Sequence, residues 1–222
     1  MSIERGEVCV LIPTLNEAPT IGDLVRGFRE RGYEHILVID GNSTDGTPEI
    51  AREAGAVVRT QTGKGKGNAI MEALEIIDKP YVLMLDGDGT YSPDDAERVL
   101  EPLGRGFDHV IGDRLACPDK GAFTRLNHLG NQILNLVFRI AHGKDLHDIL
   151  SGYRAFTLRS IRQMNLKEAG FEIETEMAVE AVRMGQRVAV VPVRYRARPG
   201  TVTKLNPLQD GIRIFSTIYR LA

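Results

Sequence analysis

The most constraining feature of this chain is an alternation of short, unbroken apolar runs with stretches of helical spacing. Residues 7–12 (EVCVLI), 35–39 (HILVI), 56–60 (AVVRT), 81–85 (YVLML) and 109–112 (HVIG) read as strands. Between them, 18–31, 47–54, 67–77 and 92–103 read as helices, and in the first of these Ile21, Leu24, Val25 and Phe28 share one face. Four or five apolar residues without polar alternation suit a strand covered on both sides. A parallel neighbour also needs a crossover long enough to hold a helix. The expected fold is therefore α/β, a mostly parallel central sheet flanked by helices.

Sheets of this kind gather ligands at the carboxyl ends of their strands. Three polar segments follow strands here: Pro13-Thr14-Leu15-Asn16-Glu17, Asp40-Gly41-Asn42-Ser43 and Asp86-Gly87-Asp88-Gly89. Asp86 and Asp88 are the sharpest signal. Two carboxylates at i and i+2 on a turn can converge on one hard divalent cation that leaves positions open for phosphate oxygens and neutralises a departing diphosphate. An ordinary Asp-Gly turn is the plain alternative. Asp40, closing a strand, can accept a hydrogen bond from a nucleobase, whereas Asp45 and Thr47 read as helix caps. Asn16 and Glu17 can hold a base or ribose, or Asn16 can cap the helix that follows. The Gly63-Lys64-Gly65-Lys66-Gly67-Asn68 segment lacks the GxxxxGK[ST] spacing of a P-loop. Its glycines permit close backbone approach and its lysines suit phosphate or base; a solvated loop is the alternative.

The second half changes character. Residues 123–141 form a long helical pattern with Leu126, Leu129, Ile133, Leu134, Val137 and Ile140. A helix over 172–184, a strand over 187–193, a basic loop over 194–204 and an amphipathic helix over 210–221 follow. Asp148 is a candidate for placing or deprotonating an acceptor. Arg154 can contact phosphate or pair with a surface carboxylate. Glu172, Glu174 and Glu176 read as a solvated acidic helix start. Arg194, Arg196, Arg198 and Lys204 form a local basic run suited to an anionic group, or merely a solvated strand edge.

Composition narrows the classes. Lys and Arg number 28 against 30 Asp and Glu, so bulk basicity does not point to nucleic acid. Cys9 and Cys117 are the only cysteines, too few for a disulfide framework, and a reducing cytosolic setting is expected. No apolar run approaches the roughly 20 residues of a membrane span, and residues 1–7 lack a leader-like apolar core. A soluble or surface-bound chain is expected. Without a repeat or linker, 1–222 reads as one domain.

Taken in order, these blocks resemble a family 2 glycosyltransferase of the GT-A fold. The resemblance rests on VLIPTLNEAPTIGDLV (10–25), VIDGNSTDGT (38–47), GKGNA (65–69), LMLDGDGTY (83–91) and SGYRAF (151–156). IGDRL (111–115) and RPGTVTKLNPLQDGIRI (198–214) bring it closest to the archaeal type of polyprenyl- or dolichyl-phosphate sugar synthases. It departs from many relatives at Asn42-Ser43 and at Thr90.

The resemblance implies an enzyme that binds its donor with residues 1–115 and its acceptor with 116–222. It would move a hexosyl unit, with inversion, from a UDP- or GDP-sugar to a polyprenyl phosphate. Pro13, Asn16, Glu17 and Asp40 would line the base and ribose, with Lys66 beside them. Asp86 and Asp88 would bind Mg²⁺ or Mn²⁺ with the diphosphate, Asp88 thereby serving the chemistry. Arg114, Arg198 and Lys204 would meet the acceptor phosphate, and Asp148 matches the base or positioning residue. The setting would be the cytosolic face of a membrane, reached through the amphipathic segments. A soluble acceptor such as a phosphoglycerate or glycan, a nucleotidyltransferase and a non-catalytic nucleotide-sugar sensor are the alternatives.

Overall fold

The computed structural model describes residues 3–199 and 207–220. Its centre is one seven-stranded sheet. In chain order the strands are β1 (Val8–Thr14), β2 (His35–Asp40), β3 (Val57–Thr60), β4 (Tyr81–Met84), β5 (His109–Pro118), β6 (Arg154–Thr157) and β7 (Val188–Tyr195). Across the sheet they lie β3-β2-β1-β4-β6-β5-β7. Every pairing is parallel except those of β6, which runs antiparallel to both β4 and β5.

Apolar side chains on both faces of the strands explain their lack of polar alternation. Val8, Val10 and Ile12 of β1 pack with Ile21, Leu24, Val25 and Phe28 of helix α1 (Ala18–Glu30). The residues between them, Cys9 and Leu11, turn to the other face. There they meet Ile70 and Leu74 of α3 (Lys66–Ile76) and Ile173 and Met177 of α7 (Ile173–Arg183). The first face is also covered by α2 (Thr47–Glu53) and α4 (Ala96–Leu100). A third apolar cluster lies under α5 (Arg125–His142) and α8 (Pro207–Arg220), around Phe138, Ile149, Val179, Ile214 and Ile218.

Several elements differ from expectation. Strand β3 sits at the sheet edge with Val57 58% exposed, so it is not covered on both sides. The helix expected over 92–103 is divided: Ser92 caps a 3-10 turn at Pro93–Asp95, α4 follows, and a second 3-10 turn spans Glu101–Arg105. Pro102 lacks the N–H that a continuing helix would use. β6 and the short α6 (Leu158–Arg162) lie where the sequence showed only a motif. Because β6 is antiparallel, its amino end lies at the edge formed by the carboxyl ends of β1, β2, β4 and β5. The 145–153 segment is thereby delivered to that edge. No helix among the described residues is long and apolar enough to cross a membrane.

Candidate active site

The loops after β1 and β2 clasp each other. Asn16 takes a left-handed φ of 50°, its side-chain oxygen accepts from the Thr44 amide at 2.9 Å, and its own amide donates to Ser43 Oγ at 2.8 Å. Asp45 accepts from the amides of Ala18 and Thr47, while Thr47 Oγ1 accepts from the Glu17 amide at 2.8 Å. The loop after β2 thus caps the start of α1, and Asp45 caps its own helix α2 as well, which satisfies amides that a helix start leaves without intrahelical partners. Partial burial opposes charge on Asp45, but the Thr47 hydroxyl and these amides outweigh it and hold the carboxyl below its ordinary value. Pro13 is buried within β1. Asp40 is buried too, and its carboxylate accepts from the Ser43 amide and hydroxyl and from Thr14 Oγ1. Asp40 therefore shapes the loop on which Ser43 and Asn16 meet.

The Asp86–Gly89 turn leaves the end of β4 beside α1. Thr20 Oγ1 donates to the Gly87 carbonyl at 2.7 Å. A Cβ on Gly87 would lie 2.7 Å from the Thr14 methyl group, so the turn is seated where only glycine fits. Asp88 accepts from the Thr90 amide and hydroxyl through one oxygen and pairs with Arg198 through the other. Arg198 also stands 3.8 Å from Glu17. It is carried there by the tail of β7, whose Arg196 amide donates to the Thr90 carbonyl at 2.9 Å. Lys204 lies outside the described residues.

Asp86 pairs with Lys66, the first residue of α3. The same ammonium lies 2.5 Å from Glu174 Oε1, on the first turn of α7. Burial opposes the charge of both Lys66 and Asp86; their mutual attraction overrides it, with Glu174 helping to raise the ammonium pKa and Arg114 and Arg198 helping to lower the carboxyl's. The segment before Lys66 is a loop with Lys64 and Gly65 exposed, but its glycine backbone is packed where α3 begins. The Gly67 amide donates to the Ala169 carbonyl at 2.8 Å, and a Cβ on Gly67 would collide with the Glu168 carbonyl. The expected solvated acidic helix start is absent, because Glu172, Glu174 and Glu176 are all buried. Lys66 is brought to Asp86, and no sequence signal had connected it to Glu174.

On the other side of Asp86 lies the segment before β6. Gly152 approaches so closely that a Cβ there would lie 2.5 Å from an Asp86 carboxylate oxygen. Tyr91 Oη accepts from the Gly152 amide at 2.9 Å and locks this approach. Asp148 is fully buried, and both its oxygens accept from Arg114, at 2.7 Å from Nε and 2.7 Å from Nη2. Phe123 and Tyr195 stack on each other with centroids 4.9 Å apart, Arg114 lies against the edge of that stack at 5.6 and 5.3 Å from the two rings, and Nη2 also reaches Asn131 on α5 at 3.1 Å. Burial works against this guanidinium's charge and Asp148 overcomes it, holding its pKa well above the usual value. Arg154 contacts neither a phosphate site nor a surface carboxylate. It is buried and donates to the carbonyls of Ser151 and Ile149, and burial lowers its pKa to about 10.

Asp86 and Asp88 offer hard oxygen donors suited to Mg²⁺ or Mn²⁺. Each carboxylate is paired with a cationic side chain, Lys66 or Arg198, with which a metal ion would compete. Among the described residues no group of three His, Cys, Asp or Glu forms a metal cage. A cation held by these two carboxylates alone would take its remaining ligands from water and phosphate oxygens.

Comparison with known proteins gives consistent findings. The model of glycosyl transferase family 2 matches residues 9–168. Glycosyltransferase AglJ of Haloferax volcanii is 55% identical over 217 residues, covering 97% of this chain and 72% of its own. Dolichyl-phosphate hexose transferase of the same organism is 32% identical over 219 residues, with 97% and 93% covered. Among solved structures, glucosyl-3-phosphoglycerate synthase from Mycobacterium tuberculosis with Mn²⁺ and UDP-glucose superposes with a TM-score of 0.77. Its identity is 21%, and 96% of this chain and 78% of that one are covered. Mannosyl-3-phosphoglycerate synthase from Rubrobacter xylanophilus gives 0.71 at 24% identity, with 96% and 72% covered.

Proposed function

This chain belongs to glycosyl transferase family 2 and has the GT-A fold, and from that premise we propose that it transfers a hexosyl unit from a nucleoside diphosphate sugar to a polyprenyl phosphate, with inversion at the anomeric carbon. It is a glycosyltransferase drawing on a nucleotide sugar. The observation that carries the lipid acceptor is the bond from Arg114 to Asn131 of α5. This puts a fixed cation against a helix whose Leu126, Leu129, Ile133, Leu136 and Ile140 are exposed. Their spacing of three and four residues makes one apolar stripe. A phosphate at Arg114 would leave its hydrocarbon chain beside that stripe, and a bilayer surface could receive the stripe itself. The setting that follows is peripheral, on the cytosolic face of a membrane. The relative named for dolichyl-phosphate hexose transfer supports the same acceptor.

The donor nucleoside would lie along Pro13, Asn16, Glu17 and the loop shaped by Asp40. Its diphosphate would face Asp86, Asp88 and Lys66. A divalent cation held by Asp86 and Asp88 would supply neutralisation of the leaving diphosphate. The acceptor's phosphate oxygen attacks the anomeric carbon as the bond to the nucleoside diphosphate breaks, so an α-linked donor yields a β-linked product. A phosphate monoester has its second pKa near about 6 and is mostly dianionic at neutral pH, so no strong base is required. Asp148, enclosed against Arg114, then serves to hold that guanidinium. Alignment and charge placement are the main tasks of these residues.

The test is transfer of radiolabelled sugar into an organic-extractable product with polyprenyl phosphate. Asp88→Asn is expected to lower transfer by about a thousandfold, of the order seen when a preorganised electrostatic contact is removed, in a variant whose melting curve still shows a cooperative folded state. Near-normal turnover in that variant would overturn the assignment of Asp88. A soluble phosphorylated acceptor is the second reading, favoured by the phosphoglycerate synthases that share the fold. Label that stays in the aqueous phase with 3-phosphoglycerate, and never enters lipid, would select it. Thermal shifts with UDP- and GDP-sugars, with and without Mn²⁺, identify the nucleotide.

A further inference from the structure

We infer that Glu174 is a positioning residue: it retains the Lys66 ammonium beside the site when the Asp86 carboxylate turns to a divalent cation. The inference rests on the reading of Asp86 as a metal ligand. Its observation is that one ammonium is shared by two carboxylates drawn from different elements, Asp86 after β4 and Glu174 on α7. Asp86 is the more open of the two, with 30% of its side chain exposed, while Glu174 is 4% exposed.

Lys66 is placed against the electrostatics of its own helix. It is the first residue of α3, where the helix dipole repels a cation. Glu174 lies on the first turn of α7, where the dipole favours an anion. Glu174 is thus the fixed member and Lys66 the member in need of a partner. Backbone packing holds the two helix starts together, through the Gly67 amide on the Ala169 carbonyl and the absence of room for any Cβ at Gly65 or Gly67.

A divalent cation on Asp86 takes up that carboxylate's charge and repels the ammonium beside it, whichever of the two oxygens each holds. If Lys66 had only Asp86, metal binding would loosen its hold there. With Glu174 present it keeps a buried anionic partner and remains beside Asp86, facing the diphosphate. Two positive centres can then act on one leaving group, with Glu174 offsetting their mutual repulsion. No bond is made or broken in this exchange; one ion pair is traded for another.

The probe is Mn²⁺ alone, with brief acetylation of lysine amines followed by mass spectrometry of the peptide containing Lys66. In the wild-type chain Lys66 is expected to react slowly both without and with saturating Mn²⁺. In Glu174→Gln it should stay slow without metal and become at least about tenfold faster with it, a smaller factor than charge-assisted hydrogen bonds supply. Glu174→Asp should restore protection, which a purely structural role for the residue would not require. Release of Lys66 by Mn²⁺ in the wild type, or continued protection in Glu174→Gln with metal bound, overturns the inference. Mn²⁺ binding is followed separately by loss of the free-ion paramagnetic resonance signal in wild type and Asp86→Asn. Failure of the wild type to bind, or equal binding by Asp86→Asn, removes the metal reading itself. A melting curve for each variant confirms that it is folded before labelling.

Discussion

Both oxygens of Asp148 and two nitrogens of Arg114 meet in a setting where the carboxylate has no exposure and the guanidinium side chain 11%. Buried pairs of this kind are worth little against an apolar pair, but breaking one by removing a partner costs about 3–5 kcal/mol. Asp148→Asn is therefore expected to lower stability by that amount. At about 2–4 °C per kcal/mol for a chain of this size, the melting temperature should fall by roughly 6–20 °C. Acceptor KM should rise with it, because Arg114 loses the carboxylate that fixes its orientation beside the stacked Phe123 and Tyr195 rings. An unchanged melt combined with a displaced pH–rate profile would instead identify Asp148 as a proton acceptor. At this scale the sequence was informative where a polar residue interrupts or follows an apolar run, as at Asp40, Asp86 and Asp88. It was silent where a charged residue is buried within a helix: the position of Glu174 reveals neither its burial nor its tie to Lys66, which lies 108 positions away (174 − 66). Arg154 misled for the same reason. An arginine that satisfies two carbonyls inside the protein looks, in sequence, like one reaching for an anion.

Helix α5 shows how far periodicity reaches. The pattern predicted an amphipathic helix, and the helix is there, from Arg125 to His142. Yet only Phe138 is fully buried on it, with Leu134 and Val137 packed beside it, while Leu126 is 71% and Ile140 73% exposed. The apolar residues serve two faces, an inner one against Ile214 and Ile218 of α8 and an outer one against no described part of the chain. α8 does the same, with Ile212, Phe215 and Tyr219 exposed. Periodicity identifies a helix but cannot divide its apolar residues between core and outside, because that depends on which neighbours arrive. Replacing Leu129 and Ile133 together by Glu should leave the melt within about 0.5 kcal/mol per site, as exposed positions do. Co-sedimentation with anionic vesicles should fall severalfold, and transfer to polyprenyl phosphate should fall with it. Loss of transfer to a short-chain, water-soluble phosphoprenol analogue in the same variant would contradict a role confined to the membrane surface. β6 was illegible for a different reason. Four residues beginning with an arginine and preceded by Ser151-Gly152-Tyr153 carry no period, and their place is set by the open hydrogen-bonding edges of β4 and β5.

For the molecule as a whole, the seam between β5 and β6 adds to the loss of stability in mild acid. His109 of β5 is buried, stacked on Phe156 at 4.2 Å, and its Nε2 faces Arg154 Nη1 at 3.3 Å. Burial, and then the arginine's charge, push the imidazole pKa well below its usual value. The unfolded chain takes up this proton near pH 6.5 and the folded chain does not, so stability is full above that pH and declines as pH falls. The slope contributed is at most about 1.4 kcal/mol per pH unit. Melting temperature measured from pH 8 to 5 should drop less steeply for His109→Gln than for the wild type; parallel curves would refute this origin. The parallel sheet and its strand-end loops could be anticipated from the alternation of apolar runs, but the order of strands could not, since β6 enters between two strands that precede it in the chain. This insertion has a consequence for synthesis. Until the ribosome has released the residues beyond Thr157, β4 and β5 have no bridge between them, and the acidic turn after β4 has no Gly152 closing on it. A newborn chain of this protein therefore carries two apolar strands with unpaired edges until β6 is made, the kind of surface through which partly made chains associate.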